Sequence, residues 1–133
     1  MRIPALLLAA TLTATPALAM DAPRTPEARL AHMLEGRTPG APVDCITQRD
    51  IRSSQIFEGI GIVYEGLGGT YYLNRAEGGA TMMHRDDVLV TDTHSSQLCS
   101  IDIVRLYDNG TRMQNGFVSL GKFIPYPRPP RAR

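Results

Sequence analysis

Proline cannot donate a backbone hydrogen bond, so a long stretch without it is one in which β-ladders can form. All ten prolines of this 133-residue chain fall at positions 4 to 42 or 125 to 130, and the 82 residues from Val43 to Ile124 contain none. Ten of the twelve glycines lie inside that same block. The block therefore reads as strands punctuated by glycine turns, with proline-rich segments outside it at both ends.

Within the block, Ile56 to Glu65 alternates Ile60, Ile62 and Tyr64 with Gly59, Gly61 and Val63, which predicts one strand. Gly66-Leu67-Gly68-Gly69 predicts a turn, Thr70 to Leu73 a second strand, and Gly78-Gly79 another break. Val88-Leu89-Val90 reads as a short buried strand and Ile101 to Tyr107 as a further one. Asp108-Asn109-Gly110 is turn chemistry, and Phe117 to Ile124 predicts a final strand. Five or six short strands, with no room for crossover helices, predict a mainly β fold: a small antiparallel barrel or sandwich.

The segment ahead of the block divides in two. Residues 1–19 read as a secretory signal peptide: Arg2 supplies a positive start, Ile3 to Leu12 is uncharged and apolar, and Ala17-Leu18-Ala19 is a small-x-small cleavage pattern. Residues 20–42 then hold one short N-terminal helix and a proline-rich connector. Thr25 suits the cap, Pro26 the first helical position, Leu30, Met33 and Leu34 the apolar stripe, and Gly36 the stop. Residues 43–126 form the β domain, and 127–133 a Pro/Arg-rich mobile tail.

Fourteen basic residues stand against thirteen acidic ones, and removal of the leader takes Arg2 and no acid, leaving the mature chain neutral. That balance argues against a nucleic-acid partner. No later segment is apolar enough to span a membrane, so a soluble periplasmic or secreted protein is expected. In an oxidising compartment the two cysteines, Cys45 and Cys99, predict a disulfide rather than a thiol catalyst or half a metal site.

Several motifs suggest catalysis and then fall short of it. Val88 to Ser96 looks like the apolar strand and Asp-Thr-Gly-Ser of aspartic proteases, yet His94 stands in the glycine position and no second copy supplies the partner carboxylate. No serine sits in a Gly-x-Ser-x-Gly elbow. Gly59-Ile60-Gly61 and the Gly66–Gly69 run lead into strands, not a helix, so a hairpin turn and a close backbone approach explain them better than a phosphate loop. His84, Asp86, Asp87, Asp92 and His94 form a polar cluster flanking Val88–Val90, without the tight spacing of a zinc site. No catalytic residue, metal or cofactor is assigned. Asn74 and Asp102 stand in strands as polar residues best accounted for by sheet-edge hydrogen bonding.

From Gly36 onward the chain resembles a group of small exported proteobacterial proteins. The matching residues include Val43-Asp44-Cys45-Ile46, Asn74-Arg75, Gln97-Leu98-Cys99, Asp102-Ile103 and Gly121-Lys122-Phe123 with Pro125-Tyr126. Such proteins often carry a second cysteine pair near Ala80 and Phe117, absent here, which leaves Cys45 and Cys99 as natural partners. The resemblance implies location and fold, and no particular activity. The expectation is a non-enzymatic, exported, disulfide-stapled β module that binds a protein or envelope partner. The alternative is a small periplasmic hydrolase or metal-dependent enzyme using the His84/Asp86/Asp87/Asp92/His94 cluster.

Overall fold

The computed structural model describes residues 22–132. The signal peptide expected over residues 1–19 lies outside these residues. The chain opens on helix α1 (Pro26–Met33), where the Thr25 hydroxyl accepts the Ala28 N–H at 3.1 Å and Gly36, at φ +73°, turns the chain away. Eight residues are too few for an independent helix. Burial of Leu30 against Phe57, Val63 and Leu73 holds it, a contact worth about 2 kcal/mol.

Nine strands follow: β1 (Cys45–Thr47), β2 (Ser53–Phe57), β3 (Gly61–Glu65), β4 (Tyr71–Arg75), β5 (Val88–Thr91), β6 (Gln97–Cys99), β7 (Ile103–Tyr107), β8 (Gln114–Ser119) and β9 (Phe123–Tyr126). They make three antiparallel sheets, ordered β2-β3-β4-β9, β5-β7-β8 and β1-β6. The mainly β, antiparallel character is as the glycine and proline pattern requires. The count is nine instead of five or six, and the described strands close no barrel.

Two long strands expected from sequence are each two. Ile56 to Glu65 is a hairpin, because Gly59 adopts φ +75° and folds Ile56 back opposite Ile62. Phe117 to Ile124 leaves the three-stranded sheet at Ser119 and joins the four-stranded sheet at Phe123, with Leu120 buried at the crossing. Gly61 is the close backbone approach its sequence context suggested: a Cβ there would stand 2.0 Å from the Asn74 carbonyl oxygen. Pro125 is tolerated in β9 because that strand ends its sheet.

The four-stranded sheet is covered on both faces. Phe57, Val63 and Leu73 meet α1, while Ile56, Ile62, Tyr64 and Phe123 enter the main core with Val104, Leu106 and Val118 of the three-stranded sheet. Burial on both faces is why β3 reads as an unbroken apolar run. The three-stranded sheet buries only its inner face. Val88–Val90, expected to be a buried strand, is half open: Leu89 turns inward, while Val88 is 46% exposed. Ile101 lies outside β7 and is 89% exposed, since the strand starts only at Ile103.

Cys45 and Cys99 face each other across β1 and β6 and are bonded. The tail meets the connector at defined points: Arg37 Nη1 donates to the carbonyls of Gly69 (2.7 Å) and Tyr126 (3.0 Å), and its guanidinium lies 3.8 Å from the centre of the Tyr71 ring. The Arg128 guanidinium lies against Gly69. No helix among the described residues is long and apolar enough to cross a membrane.

Candidate functional site

Strand β5 divides the sequence-predicted polar cluster instead of gathering it. Its rise of about 3.3 Å per residue sets Val88 and Thr91 about 10 Å apart, so the groups before and after it stand at opposite ends. At the leading end Asp87 accepts the His84 N–H at 2.8 Å and the Asn115 amide at 2.9 Å, closing the turn that aims the chain into β5. His84 Nδ1 lies 3.6 Å from the same Asp87 oxygen, and Asp86 is exposed. At the far end Asp92 is ion-paired with Arg105, and exposed His94 borders a hollow of about 400 Å³ with Ile101 and Ile103. No group of three or more His, Cys, Asp or Glu among the described residues is placed to hold a metal.

Asn74 and Asp102 serve the backbone. Asn74 is buried on the inner strand β4, where its Nδ2 donates to the Gly121 carbonyl at 2.6 Å and its Oδ1 accepts the Gly121 N–H at 2.9 Å. It pins the crossing between β8 and β9. It is therefore not at a sheet edge, as its sequence context suggested. Asp102 accepts the Cys99 N–H at 2.7 Å and so shapes the turn after the disulfide.

What the structure does assemble is the outer face of the β5-β7-β8 sheet. Pairing of Val88 with Tyr107, Val90 with Arg105, and Arg105 with Phe117 brings these side chains onto one surface, as period-two alternation requires. Ile103 is 50% and Phe117 48% exposed, and Val90 is also exposed. Hydrophobic side chains scattered singly over a surface are ordinary, whereas a contiguous group marks an interaction site.

At one end of this face a hollow of about 310 Å³ is walled by Val88, Val90 and Tyr107 and rimmed by Asp108, Asn109 and Arg112 of the β7–β8 turn. The two charges on that rim differ in availability. The N–H of Thr111 above all, then its hydroxyl and the Gly110 N–H, hold the Asp108 carboxyl below its usual range, aided by the charge of His84. Its Oδ1 already accepts three bonds from Gly110 and Thr111. The Arg112 guanidinium, by contrast, forms no ion pair or side-chain hydrogen bond among the described residues, and its backbone sits at φ +59°. Arginine rarely adopts that conformation.

Sequence reasoning missed this face. The Val88-Leu89-Val90 triplet carries no mark of which side is solvent, and nothing in the sequence announces a left-handed Arg112. Among the further hollows, two lie near the disulfide and the main core. One, of about 380 Å³, runs beside the disulfide past Tyr72, Leu67 and Asp50, and the other, of about 260 Å³, lies where Gln48, Ser54 and Tyr64 meet Leu89 and Thr91. Compared with protein-family models, curated proteins and solved structures, the chain matches none.

Proposed function

We propose that the chain is an exported, non-enzymatic binding module: a sandwich-like β scaffold, stapled by Cys45–Cys99, that presents the outer face of its β5-β7-β8 sheet to a protein partner in the periplasm or outside the cell. One observation carries this reading. Val88, Val90, Ile103 and Phe117 stand exposed together on a regular sheet, with the Arg105–Asp92 pair among them. An apolar area rimmed by polar groups on a rigid sheet is the usual anatomy of a protein interface. A bridged cysteine pair supports export, and the short 3-10 turn Ala80–Met82, packed beside β8, puts the two positions at which the resembled group carries its second cysteine pair on neighbouring elements. The divided polar cluster lends the hydrolase alternative no geometry.

Photocrosslinking in the producing cells tests the reading. A photoreactive phenylalanine analogue at Phe117 or Val90 is expected to yield adducts with another protein. The same analogue at Gln55, exposed on β2 of the other sheet, is expected to yield none. Absence of adducts at the two face positions, or equal adducts at all three, overturns it.

A further inference from the structure

Edge strands expose unpaired N–H and C=O groups, and folded chains usually protect them. Here two edges are covered by the chain itself. Gly40 donates to Pro125 and Val43 pairs with Phe123 along β9, while Gly78 pairs with Ser119 at the end of β8. A third edge, β2, presents Ser53, Ser54 and Gln55 to solvent. The remaining edge of the two larger sheets, β5, differs from these three. Val88 to Thr91 contains no proline, no charge and no bulge, and beyond its pairing with β7 it forms no backbone hydrogen bond among the described residues.

Direction then locates the end of any strand added there. Strand β5 runs from Val88 to Thr91, and all strand pairing among the described residues is antiparallel. An added antiparallel strand therefore begins beside Thr91 and ends beside Val88. That end is where the 310 Å³ hollow opens and where Arg112, ion-paired with no carboxylate among the described residues, stands on the rim. An apolar wall, a backbone edge and a guanidinium that have no partner among the described residues stand at the terminus of the added strand, and together they are complementary to one ligand chemistry.

We propose that β5 takes up the extended C-terminal segment of a partner protein as an additional antiparallel strand, with its last apolar side chain on Val88, Val90 and Tyr107 and its terminal carboxylate on Arg112. Main-chain bonds to β5 supply affinity without sequence preference, and the hollow and the arginine select a free apolar C-terminus. This inference rests on the binding-module reading and names the partner's contacting chemistry.

The test uses the oxidised mature protein and two random heptapeptide display libraries, one with free C-termini and one with C-termini blocked by fusion. Selection is expected to enrich apolar residues at the last and alternating positions from the free library alone. A selected peptide, made as acid and as amide, is then measured by fluorescence anisotropy. The acid is expected to bind at least tenfold more tightly than the amide. Arg112→Asn, which keeps a residue tolerant of the left-handed backbone, should erase that difference while leaving the melting temperature unchanged. Val90→Lys should weaken both peptides by placing a charge on the edge strand. Equal binding of acid and amide, an acid preference that survives in Arg112→Asn, or enrichment from neither library overturns the inference. Continued crosslinking from Phe117 in that last case leaves the binding-module reading standing, and loss of crosslinking removes both.

Discussion

Two buried side-chain polar atoms among the described residues lack a partner, Arg29 Nε and the Tyr64 hydroxyl, and the second stands in the main core. The Tyr64 side chain is buried, its ring packs on Phe123 with centroids 5.9 Å apart, and its hydroxyl has no hydrogen-bond partner among the described residues. Burying a hydroxyl without a partner costs about 1–3 kcal/mol on the scale of protein substitutions. Tyr64→Phe removes that cost and leaves a gap of one oxygen atom, which takes back part of the gain as lost contact. The net expectation is a stabilisation of about 1 kcal/mol, or a rise in Tm of about 4 °C for a domain of this size. The pH dependence gives a second, independent reading. Burial raises the Tyr64 pKa above its ordinary 10.0, so above pH 10 the unfolded chain loses a proton that the folded one keeps. The Tyr64 contribution to stability is complete below that pH and declines above it, by about 1.4 kcal/mol per pH unit. Urea unfolding of both proteins at pH 7, 10 and 11 measures the two effects together. The advantage of the phenylalanine variant should widen by about 1 kcal/mol between pH 10 and 11, with the other tyrosines common to both proteins. A variant less stable than the parent at pH 7, or an unchanged gap at pH 11, refutes the argument.

Asn74→Ala should cost about 2–5 kcal/mol in urea unfolding, because it strands both the N–H and the carbonyl of Gly121 in the interior. Asn74→Asp should recover nothing at pH 7, since its carboxylate accepts from the Gly121 N–H but sets an acceptor against the Gly121 carbonyl and buries a charge. Reducing Cys45–Cys99, which lie 54 residues apart, should add 2 Da to the mass and destabilise the domain by about 4 kcal/mol in the chain-entropy picture. Stability unchanged after verified reduction counts against that account.

The parts of the fold legible in the sequence are those set by local chemistry. Thr25-Pro26-Glu27 specifies a helix start through a side-chain cap and a fixed φ, needing nothing distant. Gly68 and Gly69, both at positive φ, mark their turn for the same reason. What escaped was decided at a distance. The apolar run from Phe117 to Ile124 has no breaker other than Gly121, and only the clamp from Asn74, 47 residues earlier, makes that glycine a crossing between sheets. The turn at Glu58-Gly59-Ile60 lacks Asn-Gly chemistry and keeps two apolar residues at its borders, so alternation carries straight through it. Val88 and Val90 match the alternating pattern whether or not anything covers them. Hydrophobicity records what a residue tolerates, and burial depends on what else the chain has available.

That availability connects the fold to the proposed site. Among the described residues there is one α-helix, and α1 is committed to Phe57, Val63 and Leu73 on the outside of the four-stranded sheet. The three-stranded sheet packs its inner face on the main core, and no described element covers its outer face. A chain selected only for stability and solubility places polar residues there, as it does with Ser53, Ser54 and Gln55 on β2. Valine, isoleucine and phenylalanine at these positions oppose solubility and, being exposed, add little to stability. The same argument applies to the backbone. Residues 40 to 43 lie along β9 and Gly78 along β8, so the chain can protect an edge; among the described residues nothing covers β5, between an apolar face and an Arg112 without an ion pair. Three departures from ordinary surface design within one region, each tolerable alone, share a single purpose if that region is completed by another chain.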